Sequence, residues 1–143
     1  MRVAEALGRA VAQLGVRDCF GLVGSGNFHL VNAMSAAGVR FVAARQETGA
    51  ATMADAYARA SGRLGVCTVH QGPGVTNAMT GLTEAAKSRT PLLLLAAEAT
   101  APLSNFYLDV ERLAAGAGAS HRRLTTPALA VDELVVAARM AVG

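Results

Sequence analysis

Leu64-Gly65-Val66-Cys67-Thr68-Val69, then His70-Gln71-Gly72-Pro73-Gly74, then Val75, Met79, Leu82 and Ala86 at helical spacing, is the stretch that decides the fold. The first run is short, apolar and rich in β-branched residues, so it reads as a buried strand. Gly-Pro-Gly breaks the chain, and the apolar residues that follow mark one face of a helix. Pro91 to Ala97 then forms a second apolar run. Its lack of alternation predicts a central parallel strand covered on both faces.

Working outward, the same unit recurs. Val3, Leu7, Val11 and Leu14 predict a helix, stopped near Gly15, before a strand over Asp18 to Val23. Gly24-Ser25-Gly26-Asn27 is a turn, Phe28 to Ala36 a helix, and Val39 to Ala43 a strand. Thr48 to Ala60 is a helix stopped by Gly62. Beyond Glu98 the pattern predicts a loop over Thr100 to Leu108, a short helix over Val110 to Ala115, an edge strand over Ser120 to Leu124 and a closing helix over Val131 to Met140. Strands alternating with helices through short loops predict an α/β fold: a doubly wound parallel sheet with helices on both faces, as one domain over residues 1–143. Ligands of such sheets bind beyond the carboxyl ends of the strands. Three segments should therefore gather at one end: Gly24 to Asn27, Arg45 to Gly49, and His70 to Asn77.

Composition narrows the partners. Hydrophobic residues make up 52% of the chain and charged residues 16%, so part of the surface is expected to be covered by another body. The net charge of +3 comes from scattered arginines, with Lys87 the only lysine. Without clustering on one face this is no nucleic-acid footprint. The longest apolar run, Pro91 to Ala97, is far short of the roughly 20 residues of a membrane span. With Glu5 and Arg9 in the first turns there is no signal-peptide pattern, and a cytoplasmic location is expected. Cys19 and Cys67 lie apart, without CxxC spacing or accompanying histidines, and read as buried free thiols rather than metal ligands.

Three features could carry chemistry. Glu47 falls between a strand and a helix, beside Thr48-Gly49-Ala50, small residues that admit another body closely. A carboxylate there also complements the helix macrodipole, so position alone leaves both readings open. Gly72-Pro73-Gly74 before a helix could cradle an anion, but no Lys-Ser or Lys-Thr follows and no GxGxxG is present. Its plainer reading is a turn that lets the helix approach the sheet. His70 closes a strand beside Gln71, and both side chains could reach the sheet-end crevice; a structural histidine is the alternative.

Taken together, Phe41-Val42-Ala43-Ala44-Arg45-Gln46-Glu47-Thr48-Gly49-Ala50-Ala51-Thr52-Met53-Ala54-Asp55-Ala56-Tyr57-Ala58-Arg59-Ala60-Ser61-Gly62, then Gly65-Val66-Cys67, Gly72-Pro73-Gly74-Val75-Thr76-Asn77, Gly81-Leu82 and Pro91-Leu92 resemble the pyrimidine-binding domain of the thiamine diphosphate enzymes. The likeness is to the acetolactate synthase, pyruvate decarboxylase and benzoylformate decarboxylase group, and it runs from about residue 3 to residue 140. The resemblance implies that Glu47 hydrogen-bonds N1′ of the cofactor's aminopyrimidine and favours its imino tautomer. It implies that Gly72, Pro73, Gly74 and Asn77 pack beside that ring, and that Ser25, Gly26 and Gln71 lie on the substrate side. His70 matches a histidine of benzoylformate decarboxylase-like members, where acetolactate synthases usually carry a small residue, and this implies a catalytic proton-transfer role.

The resemblance also implies a partner. In the family the diphosphate is held through Mg²⁺ by a separate domain with Gly-Asp-Gly and a downstream Asn, and no Gly-Asp-Gly occurs in this chain. The expectation is half of an active site, inactive as the isolated chain, working on a 2-keto acid within a homo- or hetero-oligomer. The alternative is a non-catalytic assembly or regulatory domain that retains the fold.

Overall fold

The computed structural model describes residues 1–143. Four helices and four strands alternate and two helices close the chain: α1 (Val3–Gln13), β1 (Asp18–Gly21), α2 (Phe28–Ala36), β2 (Arg40–Ala43), α3 (Glu47–Ser61), β3 (Gly65–Val69), α4 (Pro73–Ser88), β4 (Leu92–Ala96), α5 (Val110–Ala117) and α6 (Pro127–Val142). All strand pairings are parallel and the order is β2-β1-β3-β4. The expected doubly wound α/β domain is the one observed.

Strand periodicity sorts the core into two halves. Cys19, Val66, Leu93 and Leu95 face a cluster with Leu7 and Val11 of α1, Val31 and Met34 of α2, and Leu134 of α6. Their neighbours Phe20, Cys67 and Val69 turn to the other face, against Ala50, Ala51 and Ala54 of α3 and Val75 and Ala78 of α4. Successive strand residues point to opposite faces, so each strand supplies both halves. Met34 is fully buried, and its truncation to Ala should cost about 2 kcal/mol or more. On the second face α3 and α4 touch almost backbone to backbone, because a Cβ on Gly81 would fall 2.5 Å from the Cβ of Ala51. That close seam fixes how the amino-terminal ends of the two helices meet.

Two expectations are corrected. The run Pro91 to Ala97 is not a central strand: β4 closes one edge of the sheet and pairs only with β3. An apolar run reports that both faces of a strand are covered, and α4 and α6 both pack on β4. It does not report lateral position. Ser120 to Leu124 forms no strand. Its arginines are drawn into ion pairs instead, Arg122 with Glu133 of α6 at 3.0 Å and Arg123 with Glu98 in a two-pronged contact at 2.8 and 2.7 Å. Between this segment and the free edge of β4 lies an open, mainly apolar groove of about 1040 Å³. No helix is long and apolar enough to cross a membrane.

Candidate functional site

The order β2-β1-β3-β4 reverses direction between β1 and β3, and such a reversal opens a crevice at the carboxyl ends of the strands. The three segments singled out in the sequence do converge there. Gly26 donates its backbone N–H to Nδ1 of His70 at 3.0 Å, across the β1–β3 junction. Asn77 of α4 donates from Nδ2 to Oε2 of Glu47 at 3.1 Å. Thr48 Oγ1 donates to the carbonyl of Asn77 at 2.6 Å, so the start of α3 is stitched to the first turns of α4 twice.

Glu47 is the first residue of α3 and only 8% exposed. Helix starts favour an anionic group, which explains how the fold tolerates a carboxylate there. Asn77 engages one oxygen and leaves Oε1 without a hydrogen bond within the chain. Beside it stands Gly74, where a Cβ would lie 3.5 Å from Oε1 and 3.3 Å from the Cβ of His70. Gly74 therefore keeps a slot open between the glutamate and the histidine.

Gly72 caps α4 with φ of +63° and ψ of −112°, a conformation that favours glycine, and Pro73 follows as the first helical residue. A Cβ at Gly72 would also sit 3.0 Å from the carbonyl oxygen of Phe106. The ring of Phe106 meets His70 edge to face, with centroids 5.0 Å apart. Gln71 lies over Gly26, where a Cβ would collide with its Oε1. Ser25 is exposed on the turn and Pro73 on the helix start; neither side chain touches Glu47 or His70 through a hydrogen bond.

Sequence reasoning missed two contributors. Asn27 is 1% exposed and makes three hydrogen bonds: one closes the turn on itself at Gly24 N, one reaches back to the Leu22 carbonyl, and one ties the turn to Thr68 Oγ1 of β3. The polar end of a turn entering a helix was the available signal, but it did not distinguish a cap from a buried lock. Phe106 lies in the long loop after β4, beside Tyr107 and Leu108, and nothing in the local sequence set it apart. Cys19 and Cys67 are buried free thiols, as the sequence implied. Burial pushes the Cys19 thiol up to about 12, and pushes that of Cys67 up as well.

A doubly wound domain whose strand ends gather a buried carboxylate, a glycine loop and a histidine belongs to the ligand-binding class of open α/β sheets. The chain is a member of the family described as thiamine pyrophosphate enzyme, N-terminal TPP binding domain, which it matches over residues 1–121. It is 42% identical over 95 residues to the probable 2-ketoarginine decarboxylase of Pseudomonas aeruginosa, covering 66% of this chain and 17% of that protein. Against the large subunit of acetolactate synthase isozyme 2 of Escherichia coli the figures are 36% over 102 residues, 71% and 19%. Against human 2-hydroxyacyl-CoA lyase 2 they are 43% over 91 residues, 64% and 14%. The aligned stretch thus amounts to less than a fifth of the length of each of these relatives.

Proposed function

We propose that this chain is the pyrimidine-binding part of a thiamine diphosphate-dependent enzyme that decarboxylates or condenses a 2-keto acid, with the diphosphate and its Mg²⁺ held by a separate domain or subunit. When bound, the cofactor would supply a nucleophilic thiazolium carbon for chemistry at a keto group. Glu47 holds and shares a proton with N1′ of the aminopyrimidine, and Asn77 keeps the carboxyl in place for that task. Gly72, Pro73 and Gly74 give a flat ring room, and His70 with Ser25, Gly26 and Gln71 faces the substrate.

The observation that carries this reading is the free Oε1 of Glu47 beside Gly74. A ring nitrogen needs a carboxyl oxygen that is not already engaged, in a space that no side chain fills, and these residues fit both requirements. Oε1 remains open to an incoming group: the one sealed side-chain oxygen without a partner is Oδ1 of Asp55. Exposed apolar residues support a covering domain: Val23 and Phe28 follow β1, while Leu103, Phe106 and Tyr107 follow β4. Such patches mark interaction surfaces, and closure excludes water from the reacting groups.

The test is reconstitution. The chain is co-expressed with a polypeptide bearing Gly-Asp-Gly and a downstream Asn, and light scattering is followed by a decarboxylation assay with thiamine diphosphate and Mg²⁺. A stable complex with cofactor-dependent turnover is expected. A complex that forms but has no turnover and no cofactor uptake would favour the assembly-domain reading.

A further inference from the structure

The His70 ring is constrained more tightly than a residue at the end of a strand requires. Its Nδ1 accepts the Gly26 N–H at 3.0 Å. A ring nitrogen that accepts a hydrogen bond carries no hydrogen, so in this arrangement the proton sits on Nε2. A proton added at Nδ1 would set two N–H groups against each other. The turn that supplies the donor has no slack, since a Cβ on Gly26 would lie 2.9 Å from His70 Nδ1 and a Cβ on Gly24 would lie 2.8 Å from His70 Cγ.

What aims the Gly26 amide is Asn27. Its Oδ1 accepts from Gly24 N at 2.8 Å, closing the turn on itself. Its Nδ2 donates to the Leu22 carbonyl at 3.1 Å and to Thr68 Oγ1 at 3.4 Å. Thr68 in turn donates its hydroxyl proton to the Leu95 carbonyl at 2.8 Å. The turn is thereby pinned through β3 to β4. Buried side-chain networks of this kind hold one geometry because every alternative leaves a polar group unpaired.

We propose that Asn27 is a positioning residue that fixes His70 as the neutral Nε2–H tautomer, making it a hydrogen-bond donor to a keto-acid oxygen rather than a relay passing protons through Nδ1. The keto-acid oxygen rests on the function proposed above; the tautomer does not, because it is set by groups within the chain. A neutral imidazole can polarise a carbonyl oxygen in this way without giving up its proton.

The experiment needs no cofactor. Long-range proton–nitrogen NMR on the histidine-labelled chain reports the tautomer of His70, assigned by its loss in His70→Phe. A single Nε2–H signature is expected in the parent, and averaging of the two forms in Asn27→Ala. Amide exchange of Gly26 is the second readout and should quicken about tenfold in His70→Phe, the scale of one lost hydrogen bond. If Asn27→Ala does not fold, the near-isosteric Thr68→Val takes its place, and Gly26 exchange should again quicken. An averaged or Nδ1–H signal in the parent overturns the proposal, as does Gly26 exchange unchanged in His70→Phe. A locked tautomer in a folded Asn27→Ala, or unchanged exchange in Thr68→Val, removes the role of Asn27. A failed reconstitution alters none of these signals and counts against the enzyme reading alone.

Discussion

Asn77 reaches from the second turn of α4 to hold one carboxylate oxygen of Glu47 at 3.1 Å and leaves the other free. The glutamate is thus oriented from the neighbouring helix, across a seam that Gly81 makes close. Asn77→Ala should cost about 1 kcal/mol of stability, the usual net worth of such a bond, and let the Glu47 side chain turn. In the reconstituted enzyme it should weaken cofactor uptake while leaving the complex assembled. Thermal unfolding and cofactor titration together check this; unaltered cofactor affinity would mean that Asn77 does not orient the carboxylate.

The lone chain should take up thiamine diphosphate poorly, and adding Mg²⁺ should change little. Mg²⁺ prefers an octahedral set of hard oxygens shared between carboxylates and phosphates, which the residues around Glu47 and Gly72 do not assemble. Calorimetric titration with and without the metal gives the answer. Micromolar or tighter binding would reveal a phosphate site within these 143 residues.

Alkali should destabilise the fold through its thiols. In the unfolded chain a cysteine titrates near 9.0, whereas burial pushes Cys19 up to about 12 and moves Cys67 the same way. Below the unfolded value both states hold their protons, so the contribution is fully present. Between that value and the folded one the unfolded state alone gives up protons, and stability falls as pH rises. Denaturant midpoints measured from pH 8 to pH 11 should decline, and Cys19→Ala should flatten the decline even though it lowers the starting stability. Neither thiol should react with a thiol reagent before unfolding.

The helices and strands were legible because each carries its own period and stop. Val3, Leu7 and Val11 mark α1, and Gly62 ends α3 in the left-handed conformation. Helix α2 is observed at its expected bounds, Phe28 to Ala36. Lateral order was not legible. Leu92 to Leu95 read as central because both faces are covered, and nothing in a local run says whether a further strand lies alongside. Ser120 to Leu124 misled for a related reason. Extended backbone was foreseen, but the pull of Glu98 and Glu133 on adjacent arginines is a long-range fact. At the site, convergence of the three strand-end segments followed from parallel topology alone. The Asn77 grip on Glu47 and the Asn27 lock on the turn did not, since each depends on side chains meeting across separations of 30 and 41 residues.

Glu47→Gln in the reconstituted enzyme separates the proposed chemistry from mere packing. The substitution is nearly isosteric, and an amide oxygen can still accept from Asn77, so the melting temperature should shift by only a few degrees. What the amide cannot do is share a proton with a ring nitrogen as a carboxyl does. Exchange of the cofactor's C2 proton should therefore slow by on the order of 100-fold or more, within the range ascribed to a positioned acid–base group. Glu47→Ala is the poorer experiment because it also opens a hole beside Gly74. His70→Ala should leave that exchange nearly intact and depress turnover instead, because the imidazole is assigned to the substrate and not to the pyrimidine. Proton exchange by NMR, run beside steady-state turnover, resolves the two roles. Parent-rate exchange in Glu47→Gln would mean that the buried carboxyl serves the helix start and not the cofactor, and the chain would then be better read as an assembly domain.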